Sequence, residues 1–169
     1  MTVQGRRPLR LLFLCTGNSA RSQMAEAILN HRAKGRIVAE SAGSQPAARV
    51  NPLAIDTLGE YGIEWAGHPP RSVDGLEGER WDFVITVCDR AKESCPIFPG
   101  QPMLAHWGMP DPAEVEGDAV AKRAALRATY LLLSRRIDLL LALPLERLEQ
   151  LVLEARVRAI GRATMEETG

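Results

Sequence analysis

The sequence predicts an α/β fold built on a parallel sheet of about four strands flanked by helices, and three observations carry that prediction. Short apolar runs alternate with helix-period segments along nearly the whole chain, the pattern of repeated strand–helix units. Residues 9–14 (LRLLFL) and 81–87 (WDFVITV) are near-continuous apolar and β-branched runs, as strands covered on both faces must be. The 169 residues, 46% hydrophobic and 25% charged, suffice for one domain core and are too few for two comfortable ones.

A polar tail leads into the first strand, residues 9–14, which runs into a turn, CTGNSARS. A helix over residues 23–34 then places Met24, Ala27, Ile28 and His31 on one face, with Gly35 as its C-cap. Residues 37–39 make a second short strand leading to Ser41, Ala42 and Gly43. Asn51 and Pro52 are an N-cap and N1 pair opening a helix that ends before Gly62. Residues 62–80 read as loop with one short helix around 73–76. The strand over 81–87 delivers Cys88, and residues 89–100 form a loop closed by Pro96 and Pro99. Residues 103–107 can be a fourth strand, followed by a turn through Gly108, Pro110 and Pro112. A long helix over 118–143 is expected to turn Val120, Ala124, Leu131, Ile137 and Leu141 inward. Pro144 stops it and starts another, with Leu145, Leu148, Val152 and Ala155 on one face up to Gly161.

Basic and acidic residues balance at 21 each, so no bulk field favours nucleic acid or an anionic membrane. Neither a membrane span nor a secretory leader is visible, and the expected location is the cytoplasm. Three cysteines, an odd number, then favour thiol chemistry or buried thiols over a disulfide framework.

The sharpest local signal is Cys15-Thr16-Gly17-Asn18-Ser19-Ala20-Arg21-Ser22, which spans a strand-to-helix turn. Backbone N–H groups of residues 16–21 can line a concavity for a tetrahedral oxyanion, and the following helix adds its positive end. Arg21 supplies a planar fork for two of the anion's oxygens, with the Cys15 sulfur beneath the central atom. The same donors favour a thiolate, and Ser22 can steady it with its hydroxyl proton. The bland alternative is a buried cysteine and a solvated arginine. A preceding apolar strand and a following helix favour the cradle.

With CTGNSARSQMAEAIL at residues 15–29, ESAGS at 40–44 and HWGMPDPA at 106–113, the sequence resembles the arsenate reductases built on the low-molecular-weight protein tyrosine phosphatase fold. The resemblance covers residues 9–143 and leaves 144–169 as a helical extension, packed on the domain or on a partner. It implies that Asp111, before Pro112, protonates the leaving group, a role suited to a carboxyl held beside an anion. An ordinary Asp-Pro turn is the alternative. Phosphatases of this fold usually carry a tyrosine after Asp-Pro; Ala113 here points to a small inorganic substrate.

The resemblance further implies that Cys88 and Cys95 form the pair that relays oxidation away from the active site to thioredoxin or another dithiol. Arsenate would be attacked by Cys15, Cys88 would then attack the Cys15 sulfur, and Cys95 would resolve that disulfide. Relatives often carry a further cysteine where this chain has Ala20, but the relay does not need it. Some members bind potassium through an asparagine, a glutamate, a serine and an aspartate. Asn18, Glu26 and Ser41 match, but the fourth position falls on or next to Arg71, so no potassium site is expected. Zinc is disfavoured because a six-residue gap between cysteines, with no second cluster, is a poor ligand spacing. No cofactor is implied. The competing readings are a phosphomonoesterase on the same fold, with Cys88 and Cys95 as inert buried thiols, and a non-catalytic oxyanion or redox sensor.

Overall fold

In the computed structural model, residues 7–89, 93, 103–146 and 150–162 are described. Four strands, β1 (Leu9–Cys15), β2 (Ile37–Gly43), β3 (Phe83–Thr86) and β4 (Met103–His106), pair in parallel in the order β2-β1-β3-β4. Four α-helices accompany them: α1 (Arg21–Ala33), α2 (Pro52–Glu60), α3 (Ala119–Leu141) and α4 (Gln150–Arg162). The chain leaves β1 toward β2 on one side and reaches β3 on the other. The carboxyl ends of β1 and β3 therefore flank the point where the strand order reverses, where ligands of open α/β sheets sit.

Registry aligns those ends: Cys15 lies opposite Gly43, Leu14 opposite Thr86, and Thr86 opposite His106. Leu11 and Phe13 point into the larger core with Met24, Ile28, Leu133, Ile137 and Trp107. Leu12 and Leu14 point the other way, onto Ala42, Val84, Leu76 and Trp81. Alternation along the buried residues 11–15 of β1 thus builds two cores, as their apolar run requires. Among the described residues the α-helical side chains belong to the larger core, while Leu76, in a 3₁₀ turn (Leu76–Gly78), and Trp81 close the smaller one.

The expected cap at Asn51 is present: it accepts a 2.9 Å hydrogen bond from the Leu53 N–H with Pro52 at the first helical position. Asp118, expected as the first residue of the long helix, instead caps α3, accepting from the Ala121 N–H at 3.0 Å. Elsewhere the boundaries and faces shift. Helix α1 begins at Arg21 rather than 23 and leaves through Lys34, which takes the left-handed conformation (φ 50°) just before Gly35. His31 is exposed, and the buried face is Met24, Ala25, Ile28 and Leu29. Strand β2 runs on to Gly43 because the polar Ser41 finds buried partners instead of needing water. The short helical turn lies at Leu76–Gly78 instead of 73–76.

The expected inner face of α3 is wrong over its first half. Val120 is 75% and Leu131 48% exposed and Ala124 is exposed, while Leu126, Tyr130, Leu133, Ile137 and Leu140 are buried. Apolar residues lie on several sides of this helix, so neighbours decide its rotation. Tyr130 stacks on Tyr61 just beyond α2, with ring centroids 3.9 Å apart, and Arg127 pairs with Glu60 at 2.9 Å.

The second C-terminal helix starts at Gln150, not Pro144. Leu145 is buried in the preceding turn and Ala155 is exposed; Val157 and Ile160 face inward. Leu148 and the Val152 side chain lie outside the described residues. Arg36 gathers the end of α3, donating to the carbonyls of Leu141 (2.7 Å) and Leu143 (2.6 Å). Helix α4 then lies along β4, the outer strand. Arg158 donates to the Leu104 carbonyl at 3.0 Å and the Trp107 indole to the Val157 carbonyl at 3.1 Å. A Cβ on Gly161 would collide with the His106 carbonyl, so that glycine permits the close approach. The extension thereby covers a sheet edge that would otherwise offer unpaired backbone groups. Among the described residues, no helix is long and apolar enough to cross a membrane.

Candidate active site

Beyond the carboxyl end of β1, residues 15–20 curl into a loop that ends in α1. Their carbonyls are tied down from outside: Cys15 O accepts from the Ser44 N–H (3.2 Å), Thr16 O from Gln45 (2.9 Å), Gly17 O from Ala47 (2.9 Å) and Ser19 O from Asn51 (2.9 Å). Because a peptide plane points its N–H opposite its C=O, anchoring the carbonyls outward turns the N–H groups of Thr16, Gly17, Asn18 and Ala20 inward. The Asn18 N–H lies 3.1 Å from the Cys15 sulfur. Gly43 makes this possible, since a Cβ there would run into the Thr16 carbonyl oxygen. Ala20 offers no capping side chain, so none competes for the first turn of α1, whose N–H groups face the same concavity.

Asn18 holds the turn. It adopts φ 50°, a conformation asparagine tolerates, and is fully buried. Its Nδ2 donates to Ser22 Oγ (2.8 Å) and Ser41 Oγ (2.9 Å). Ser22 Oγ, already an acceptor, lies 2.9 Å from the Cys15 sulfur, which leaves its own proton to point at that sulfur. A hydroxyl, a backbone N–H and a helix N-terminus thus converge on the sulfur of a free, 2%-exposed thiol.

Arg21 rises beside the sulfur, buried at 3% exposure, and its fork meets the Glu93 carboxylate. Nη1 lies 2.6 Å from Oε2 and Nη2 2.7 Å from Oε1, while Nη1 also reaches the Met109 carbonyl at 3.3 Å. Burial works against the guanidinium charge, but Glu93, Asp111 and Cys15 outweigh it and hold Arg21 more firmly protonated than usual. Asp111 Oδ2 stands 3.6 Å from Arg21 Nη2, and its Oδ1 accepts the Ala113 N–H at 2.9 Å. The expected Asp-Pro turn and the expected proximity to the cradle are therefore both present. Asp89, Glu93, Pro110, Asp111, Glu114 and Val115 line a cavity of roughly 400 Å³ with an acidic rim.

The oxygens a potassium ion would need behind the cradle are already engaged. Asn18 Oδ1 accepts the Arg71 N–H (3.0 Å), the Ser41 carbonyl accepts Arg71 Nε (3.0 Å), and Glu26 Oε1 takes the Ser41 hydroxyl (2.8 Å) and lies 3.0 Å from His68 Nε2. These residues do not fit the ion, and Arg71 places its own cation against Glu40 at 2.9 Å. Among the described residues, no group of three or more His, Cys, Asp or Glu is arranged to hold a metal.

Cys15, residues 16–20, Arg21, Ser22 and Asp111 are thus brought together although Asp111 is remote in sequence. Cys88 follows the end of β3, beside β1, where the Val87 N–H donates to the Leu14 carbonyl at 2.8 Å. It is fully buried and disulfide-bonded, whereas Cys15 is a free thiol. Cys95 lies outside the described residues. Sequence reasoning assigned no role to Glu93, Gly43 or His68. For Gly43 the signal was a glycine ending a strand; for Glu93 there was only one more charge in a charged loop.

Comparison with known proteins agrees with this geometry. The family described as low molecular weight phosphotyrosine protein phosphatase matches residues 10–150. An arsenate reductase of Halalkalibacterium halodurans is 36% identical over 127 residues, 75% of this chain and 91% of its own. The crystal structure of the arsenate reductase from Archaeoglobus fulgidus superposes with a TM-score of 0.61 at 34% identity, covering 76% of this chain and 98% of that one. A thioredoxin-dependent arsenate reductase of Corynebacterium glutamicum gives a TM-score of 0.54 at 29% identity, covering 81% of this chain and 65% of that one.

Proposed function

Because the chain belongs to the low molecular weight phosphotyrosine protein phosphatase family, we propose that it turns that family's oxyanion site to the reduction of arsenate to arsenite. The Cys15 thiolate attacks arsenic, an As–S bond forms, and an oxygen leaves as water with a proton from Asp111. The N–H groups of residues 16–21 and the Arg21 fork hold the remaining oxygens. The Cys88 thiolate then attacks the Cys15 sulfur. An S–S bond forms, the As–S bond breaks, and its electron pair stays on arsenic, which departs as arsenite. Cys95 attacks Cys88, forming a Cys88–Cys95 disulfide and expelling Cys15 as a thiolate. A dithiol of the thioredoxin class reduces that disulfide and is itself oxidised; such a partner belongs to a reducing compartment, the cytoplasm.

The observation that carries this reading is the division of labour between two cysteines at neighbouring strand ends. Cys15 is a free thiol under anion-binding groups, while Cys88 is in a disulfide. A phosphatase needs only the first. Relatives named arsenate reductases, one of them thioredoxin-dependent, support the same choice, as does Ala113 in place of an aromatic residue beside Asp-Pro. Residues 1–143 carry the chemistry in this reading, with 144–169 an extension whose helix α4 shields β4.

The test assays one preparation for arsenate-dependent NADPH oxidation with thioredoxin and thioredoxin reductase, and for aryl phosphate hydrolysis. Cys88→Ser and Cys95→Ser should each stop multiple turnover and leave any ester hydrolysis intact. Only the Cys95 variant should release arsenite in a single turnover, trapped as a Cys15–Cys88 disulfide visible by peptide mapping. Three free thiols after arsenate, in a protein that still hydrolyses aryl phosphates, would establish the phosphatase instead.

A further inference from the structure

The Arg21 fork, which the proposed reaction assigns to the substrate, already holds an anion. Four donors converge on the Glu93 carboxylate: Arg21 Nη1 (2.6 Å) and the Asp89 N–H (2.8 Å) on Oε2, and Arg21 Nη2 (2.7 Å) and the Thr16 hydroxyl (2.8 Å) on Oε1. Each oxygen accepts two hydrogen bonds, so the group is seated as a bound ligand rather than paired loosely at a surface. Two of its partners, Arg21 and Thr16, belong to the loop that would receive an oxyanion. Glu93 is 16% exposed at the side chain and lines a cavity together with Asp111, whose carboxylate also stands beside Arg21.

Its position in the chain adds a second observation. Glu93 lies between Cys88 and Cys95 in sequence, and Cys88 is disulfide-bonded in the structure that shows Glu93 seated. We propose that Glu93 is an internal competitor of the oxyanion, occupying the arginine fork while Cys88 is in its disulfide and withdrawing when a dithiol opens that bond. The oxidised protein would then refuse an arsenate it could not reduce, since the thiols that must accept the oxidation are spent. This rests on the reading of residues 15–21 as the oxyanion site. A purely supporting role, with Glu93 holding Arg21 in place, predicts the opposite sign: removing the carboxylate would weaken anion binding.

The experiment titrates inorganic phosphate, which the protein cannot reduce, into the full chain by calorimetry. Wild type and Glu93→Gln are compared after diamide oxidation and after dithiothreitol, with free thiols counted in each sample. In the oxidised form Glu93→Gln should bind phosphate about tenfold tighter or better than wild type, the scale of losing one charge-assisted competitor. In the reduced form the gap should fall below about threefold, a free-energy difference under half as large. Glu93→Ala should move in the same direction, which separates the lost charge from any distortion by the amide. Arg21→Ala should abolish binding in both states, locating the titration in the cradle.

Equal or weaker binding by both Glu93 variants in the oxidised form overturns the proposal. The same gap in both forms overturns its link to the disulfide, and persistent binding by Arg21→Ala overturns the shared site. No arsenic chemistry enters these measurements. A protein that shows the gap yet fails to reduce arsenate with thioredoxin refutes the reductase reading and leaves the competitor standing.

Discussion

Two segments meet over the Cys15 sulfur, and they are held by different means. Residues 15–22 are fixed by their own backbone: four carbonyls anchored outward, Asn18 threaded through two serines, and Gly43 pressed against the turn. The facing rim, built from Asp89, Glu93 and Asp111, reaches the cradle through carboxylates on Arg21 and Thr16. Charged contacts of this kind exchange readily with another anion, whereas the backbone cradle has no alternative partners to exchange with. In the proposed reaction the constant task, holding a tetrahedral anion, falls to the first segment, and the proposed changing tasks, admission and proton delivery, fall to the second.

The largest expected effect breaks the first segment at its centre. Cys15→Ser should reduce arsenate reduction and any phosphatase activity to background, because the same donors cannot ionise a hydroxyl whose pKa lies far above that of a thiol. Phosphate should still titrate into the variant. Turnover above about a tenth of wild type would move the nucleophile elsewhere. Asp111→Asn addresses the second segment and should slow the chemical step by about 10² to 10⁴, the usual worth of a positioned acid, with oxyanion affinity largely kept. An unchanged rate at neutral pH would reduce Asp111 to its turn, in which it accepts the Ala113 N–H.

The contrast between the segments also explains what could be read from the sequence. The cradle follows a local grammar: an apolar strand, a cysteine, a turn with small residues, then an arginine at a helix start. The cap at Asn51 is equally local. Glu93 was not legible because its partner Arg21 lies 72 positions away, joined to it only when β3 returns beside β1. The rotation of α3 failed for a related reason. Leucines occur on several of its sides, and Tyr61 and Glu60 beyond and within α2 select among them. Ser41 shows a third case, a polar residue that looked like the end of a strand but continues it, because Asn18 and Glu26 satisfy its hydroxyl.

A smaller effect separates the backbone from the side chains that decorate it. Gly43→Ala should destabilise the protein by about 1–3 kcal/mol, since the new methyl must push the Thr16 carbonyl aside in a closely packed turn, and phosphate affinity should fall with it. Gly59→Ala is the control: nothing lies within 4 Å of a Cβ there, and an alanine within α2 should stabilise by about 0.5–1 kcal/mol. Equal thermal shifts in the two variants would mean that the cradle yields as easily as an exposed helix.

The smallest expected effect concerns the charged half in acid. Hydrogen bonds from Arg21 lower the Glu93 carboxyl from an ordinary value of 4.5 to about 2; burial opposes the shift, and the Asp89 N–H and the Thr16 hydroxyl reinforce it. A carboxyl whose folded pKa lies below its unfolded value stabilises the fold above the unfolded value and loses that contribution as pH falls through the folded one. The window here runs from about pH 4.5 down to about pH 2. Other paired carboxyls, Glu40 with Arg10 and Arg71 and Asp82 with Arg7, titrate low as well, so the acid limb of wild type alone cannot isolate Glu93. The difference in thermal midpoint between wild type and Glu93→Gln can, since those pairs are common to both. It should favour wild type at neutral pH and shrink steadily across that window. A difference that stays constant from pH 7 to pH 2 would mean the carboxylate draws no net stability from Arg21, and that the rim rests on the cradle without gripping it.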